Sequence, residues 1–283
     1  MTLDPRLTPA RPDLAALHLR GRVEAARFVE GATRRVIAGA APLRGAPRPD
    51  AAYLTEALHG DTFTAYDEEE GWSWGQLGSD GYVGWIAGSA LFTAGAAPTH
   101  RVAALRTYVF PGPSIKLPPL DLLSLNARVA AIRTEGGFAA IEPAGFVHLG
   151  HLAPLGEVEA DPVAVAERFV GTPYLWGGRT SVGLDCSALV QMSLAACGIA
   201  APRDSDMQRA LGTPVADPAP AGLRRGDLVF WKGHVAIARG DGTLIHANAH
   251  HMAVAIEDAG EAIARIAHAG LAVAEVRRLA SPA

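Results

Sequence analysis

The chain has 283 residues, enough for roughly one to three domains, and a formal net charge of -4 from 25 Lys+Arg and 29 Asp+Glu. It holds no basic block, so nucleic acid is not an expected partner, and no apolar run of about eighteen residues, so no membrane span is expected. The first twenty residues, MTLDPRLTPARPDLAALHLR, lack the charged start, apolar stretch and cleavage site of a secretory signal, which makes a cytoplasmic location the expectation.

Residues 11–31 space Leu14, Leu17, Val23, Ala26 and Phe28 as one broad helical face interrupted by Gly21, so residues 1–33 are expected to form a helical segment. The texture then changes. From Arg35 to Phe92 short β-like pieces alternate with turns, among them GWSWGQLG and DGYVGWIAGSAL, and a small barrel is expected over 34–95. A second set of the same plan runs from His100 to about His151, suggesting an internal repeat over 96–157.

Helical character returns in 158–283. Asp161 is a plausible N-cap with Pro162 at the first helical position. The next helix starts at Asp185 or Cys186, buries a stripe of Val190, Leu194 and Cys197 with Leu189 beside it, and stops at Gly198. Strands follow in GDLVFWKGHVAIARG, split by a turn at Lys232 and Gly233, and in GTLIHANAHHMAVAI. A helix AGEAIARIA and a strand LAVAEVRRL end the pattern, and helix first with antiparallel strands afterwards means α+β.

Only two cysteines are present, Cys186 and Cys197. On one helix they would sit roughly 16 Å apart, too far for a disulfide. A cysteine at a helix start meets the positive end of the dipole and unpaired N–H groups, which lower its pKa and can hold an oxyanion. Gly177, Gly178 and Gly183 would let a carbonyl approach closely. Cys197 reads as a small buried hydrophobe. On the helix alone, a reactive Cys186 and a merely packed one stand equal.

A nucleophilic cysteine needs a base and the base an orienting group. His234 begins an apolar strand and His246 lies on the next one, with a turn near Arg239 to Gly242. Pairing centred on residue 240 would place the two imidazoles opposite each other, roughly 5 Å apart at Cβ, and this favours the reactive reading. His250 and His251 are neighbours on a strand and point to opposite faces, and no H-E-x-x-H motif occurs, so no metal or other cofactor is expected.

GTPYLWGGRTSVGLDCSALVQ, RRGDLVFWKGHVAIA and LIHANAHH resemble the NlpC-type family of papain-like cell-wall cysteine peptidases over about 120 residues, Asp161 to Leu279. The resemblance implies Cys186 as nucleophile, His234 as base and His246 as its orienter. Ala188 stands where the family usually has glycine. The N-terminal pieces resemble bacterial SH3-like domains. The expected fold is therefore α+β, a papain-like catalytic domain preceded by two small SH3-like β-barrels. With P-Y-x-W-G-G, D-C-S and R-x-S-x-x-Q all present, the chain is similar to the subgroup that cleaves γ-D-glutamyl-L-diamino acid bonds in short murein peptides during recycling. That likeness implies Asp185 on the free amine of the first L-Ala, substrate contacts from Tyr174, Trp176, Ser187 and Ser205, and, from the first SH3-like domain, Tyr82 and Asp61. Murein-derived peptide is the expected partner. The competing readings are an acyl or amide transferase on the same scaffold and a non-catalytic peptide- or wall-binding protein.

Overall fold

Alternating apolar residues and tight turns make the N-terminal half a succession of short strands. In the computed structural model, which describes residues 3–93, 95–216 and 220–280, the chain divides into two units, one up to Gly156 and one from Glu157 onward.

The first unit contains a seven-stranded antiparallel sheet in the order Tyr53–Leu58, Ala40–Arg44, Val83–Ala87, Trp72–Leu77, Thr62–Glu69, Ala32–Val36, Leu91–Thr93. It is bent at bulges after Leu43 and Ala65, but it is not the closed barrel that the sequence suggests. Tyr53–Leu58 and Leu91–Thr93 each end the ladder with a partner on one side, so no strand pair completes a ring. Val36, Leu43, Phe63, Leu77 and Ile86 form the core on one face. The element order then recurs in residues 100–154. Phe146–His148, the 3-10 turn Leu149–His151 and Leu152–Pro154 repeat the succession Val83–Ala87, Gly88–Ala90, Leu91–Thr93.

The helix expected over residues 11–31 does not form. Leu14–Ala16 is instead a fully buried strand that pairs in parallel with Arg27–Val29. Leu14 packs with Trp74, Val83 and Trp85 on the sheet's second face. The Arg11 guanidinium stacks 4.5 Å from the Trp74 ring and 5.0 Å from the Trp85 ring, and its charge is met by Asp67 at 2.5 Å. An aromatic face available for cover outweighs a weak helical period, and Gly21, at φ 79°, breaks the helix in any case.

In the second unit the helices are α1 (Pro162–Glu167), α2 (Cys186–Ala196), α3 (Ser205–Gln208) and α4 (Ala259–His268). Besides the short pair Arg179–Thr180 and Gly183–Leu184, a six-stranded sheet holds β1 (Thr213–Pro214), β2 (Leu228–Trp231), β3 (His234–Ala238), β4 (Thr243–Asn248), β5 (Ala253–Asp258) and β6 (Glu275–Arg278), arranged β1-β6-β2-β3-β4-β5. Asp161 caps α1 by accepting from Val163 N–H at 2.9 Å, as its position before Pro162 suggests. Helix α2 packs on β3 and β4, while Ala259 and Ala262 of α4 pack with Val229, Trp231, Ala236, Ala238 and Leu244. Ten of the eleven residues of α2 are buried, so it is covered all round rather than along one stripe. Gly198, at φ 75°, ends it, with Ile199 N–H bonded back to Leu194 O at 2.9 Å. Cys186 and Cys197, at opposite ends of this helix, are unbridged.

Candidate active site

Cys186 opens α2, and Asp185 caps that helix. Asp185 Oδ1 accepts from Ala188 N–H at 2.8 Å and Oδ2 from Gly177 N–H at 2.9 Å. Arg203, 1% exposed, grips the same carboxylate with both arms, Nη1 to Oδ1 at 2.9 Å and Nη2 to Oδ2 at 2.7 Å. Ser187 Oγ donates to Asp185 Oδ1 at 3.1 Å and accepts from Arg203 Nη1 at 2.9 Å. Gln208 Nε2 donates to Ser187 O and to Pro202 O, both at 2.9 Å. The charge that balances Asp185 is thus Arg203, within the chain, where sequence reasoning left that task to a substrate ammonium. Two members of R-x-S-x-x-Q clamp the nucleophile's helix start, and the third, Ser205, stands half-buried at the start of α3. Gly178 and Gly183 serve the backbone: a Cβ on Gly178 would lie 2.6 Å from Gly183 O, so these glycines allow their own short hairpin to close.

The register of β3 and β4 differs from the expected one. Ile237 pairs with Ile245 and Ala238 with Leu244, so the turn is centred one residue later and the two imidazoles are diagonal rather than opposite. They still meet, as long cross-strand diagonals can, with His234 Nε2 2.8 Å from His246 Nδ1. The ladder stops at Ile237, and the N–H of Val235, the residue after His234, turns to the Cys186 thiol. Behind His246 stand two groups that sequence reasoning missed. Glu257 Oε1 lies 2.6 Å from His246 Nε2, and Arg265 Nη2 bonds both oxygens of Glu257, at 2.6 and 2.7 Å. The strand β5, Ala253–Asp258, ends in two adjacent acids, Glu257 and Asp258, and the sequence alone does not say which of them meets His246.

Burial, rather than the helix dipole, dominates the thiol. Desolvation first, then the neighbouring Asp185 carboxylate, push Cys186 up to about 12, against the pull of Val235 N–H, Arg203 and Ser187 N–H. Desolvation also leads in lowering His234 to about 3, helped by His246 and Arg265 and opposed by Glu257. Each group alone is therefore neutral near pH 7. Moving the proton from sulfur to imidazole creates both charges together, and their attraction offsets part of both desolvation costs. In His234→Ala the thiol loses that counter-charge, and iodoacetamide should alkylate it at pH 7 at least about tenfold more slowly than in the parent. Equal rates would show that Cys186 is activated without His234.

Tyr174 is half-buried between Pro173 and the apolar Leu175, and its N–H is fixed to Met252 O at 2.9 Å. Burial, then the charges of Cys186 and Asp185, push its phenol upward, so it remains a hydrogen-bond donor. Trp176 projects its ring, 69% exposed. Tyr82 and Asp61 belong to the first unit. Tyr82 is buried in that unit's core with Val36 and Leu43. Asp61 is buried too, and its Oδ2 accepts from Leu58 N–H at 3.0 Å, closing the turn before it.

Residues 171–268 match the NlpC/P60 family, and residues 43–91 match the bacterial dipeptidyl-peptidase Sh3 domain. Dipeptidyl-peptidase 6 of Lysinibacillus sphaericus is 35% identical over 86 residues, 30% of this chain and 31% of that protein. Gamma-D-glutamyl-L-lysine dipeptidyl-peptidase of Bacillus cereus is 37% identical over 94 residues, 30% of this chain and 27% of that one. The chain thus spans about a third or less of the length of these relatives. The crystal structure of an NlpC/P60 family protein from Bacillus cereus superposes with a TM-score of 0.74 at 22% identity, covering 89% of this chain and 100% of that one, which shows a shared fold.

Proposed function

Because this chain carries an NlpC/P60 domain and a bacterial Sh3 domain, we propose that it is a cysteine endopeptidase that hydrolyses the γ-D-glutamyl-L-diamino acid bond of short murein peptides. The observation that carries the reading is a thiol at a helix start beside a strand whose first residue is a histidine, itself bonded to a second histidine. In the reaction His234 takes the proton from Cys186, and the thiolate attacks the γ-carbonyl carbon of D-glutamate. The tetrahedral oxyanion collapses, the C–N bond breaks, and the diamino acid's amine leaves with the proton from His234. Water, deprotonated by the same imidazole, then attacks the thioester and frees the carboxyl and the thiol. Tyr174 donates to the carbonyl oxygen as it gains charge. The exposed Trp176 ring and half-buried Ser205 contact the peptide.

The finer arrangement in this reading is an N-terminal segment over 1–33, SH3-like domains over 34–95 and 96–157, and the peptidase over 158–283, of which residues 1–2, 94, 217–219 and 281–283 lie outside the described ones. The recurring element order supports two copies of the SH3-like plan. The place of action is the cytoplasm, on peptides recycled from the wall, and the substrate requires a free N-terminal L-Ala. A relative named a dipeptidyl-peptidase, which counts two residues from an N-terminus, supports that requirement. Asp185 shares its charge with Arg203, so the amine is held by a polarised pair rather than a bare carboxylate.

The test is mass spectrometry of products from L-Ala-γ-D-Glu-diamino acid peptides with free and acetylated N-termini. Cleavage after D-glutamate is expected, with acetylation lowering kcat/KM at least about tenfold, the worth of one charge-assisted hydrogen bond. Equal rates on both peptides would remove the free-amine requirement, and no product from either would remove the peptidase reading.

A further inference from the structure

Resting on the peptidase reading of Cys186 and His234, we propose that Glu257 and Arg265 are positioning residues that fix which nitrogen of His234 serves as the base. The deduction follows the protons. A carboxylate can only accept, so Glu257 Oε1 at 2.6 Å requires the proton of His246 on Nε2. A neutral His246 then has a bare lone pair on Nδ1. That nitrogen, 2.8 Å from His234 Nε2, can only accept, so His234 carries its proton on Nε2. The remaining nitrogen of His234, Nδ1, is left bare as the base for the thiol.

Each step rests on a held geometry. His246 is buried at 1% exposure, so bulk solvent does not compete for its ring nitrogens. Arg265 reaches back from α4 and bonds both oxygens of Glu257, which fixes the carboxylate's rotation as well as its charge. Burial would raise the Glu257 carboxyl, but the bonds from Arg265 and His246 outweigh it and hold the group below the usual carboxylate range. The groups that face Glu257 are Arg265 from α4, His246 from β4 and, at 3.7 Å, His251 from the connection between β4 and β5. His234 is faced by His246, by the Trp231 ring at 5.6 Å from β2, and by the more distant charges of Glu257 and Arg265.

The charges on the two positioning residues act on His234 with opposite signs: Glu257 favours its protonated form and Arg265 disfavours it. This separates an electrostatic and tautomeric role from mere packing. Glu257→Gln and Arg265→Ala are each expected to lower kcat roughly tenfold or more with KM little changed. The alkaline limb of kcat/KM, where the thiol–imidazole pair loses its shared proton, is expected to move to lower pH in Glu257→Gln and to higher pH in Arg265→Ala, with Arg265→Lys returning toward the parent. Histidine 15N shifts in the resting protein give a readout free of any substrate. Both rings should be Nε2–H tautomers in the parent, and His246 should become a mixture in Glu257→Gln, whose amide can donate as well as accept. Unchanged tautomers in Glu257→Gln, or limbs that move in the same direction, would overturn the proposal. Expected tautomers in a protein that cleaves no peptide would leave the relay standing and remove the peptidase reading instead.

Discussion

Cys186→Ala should abolish peptide hydrolysis, by roughly five to six orders of magnitude in kcat, while Cys197→Ala keeps most of it. The two thiols belong to one helix and are both buried, so burial alone does not distinguish them. Position does. Cys186 lies at the N-terminal end, against Val235 N–H and next to the strand that begins with His234. Cys197 is the C-cap residue, at the opposite end of an eleven-residue helix, where the dipole is negative. Cys197→Ala removes only a small buried group, at about 1 kcal/mol of stability. Steady-state kinetics on both variants, with circular dichroism to confirm folding, would decide. A folded Cys197→Ala without activity and an active Cys186→Ala would reverse the site assignment.

Arg203→Ala should destabilise the second unit by about 3–5 kcal/mol, because it strands a buried carboxylate that was paired. The loss is concentrated at the start of α2. Arg203 bonds Asp185, Ser187 Oγ and, at 3.3 Å, Gly178 O, so one side chain ties the cap, the nucleophile's neighbour and the preceding glycine turn together. Asp185→Asn should be similarly damaging, since the amide keeps the shape of the cap while removing the carboxylate charge that faces Arg203, and the double variant should lose less than the sum of the two. Arg203→Lys restores the charge without the planar fork and should recover only part of the loss. Hydrogen exchange at the α2 amides gives the readout region by region. Unchanged protection in Arg203→Ala would mean that water, not Arg203, satisfies Asp185.

Local chemistry alone settled a good part of this chain. Asp161 before Pro162, Asp185 before Cys186 and Gly198 after α2 cap or end their helices as their residue types require, because capping depends on neighbours in sequence. The Lys232-Gly233 turn and the meeting of His234 with His246 were equally legible, since hairpin connections are short and side-chain alternation is regular. Long-range contacts decided the rest. Leu14 joins a sheet instead of a helix because Trp74 and Trp85 offer it an apolar face. The sheet stays open because its two end strands find no partner in each other. The charge opposite Asp185, the acid behind His246 and the cation behind that acid come from residues 18, 11 and 8 positions away. Nothing local marks such pairs. They form because a buried charge must be met by whatever charge the fold brings within reach, and that is decided only when the helices and strands have packed.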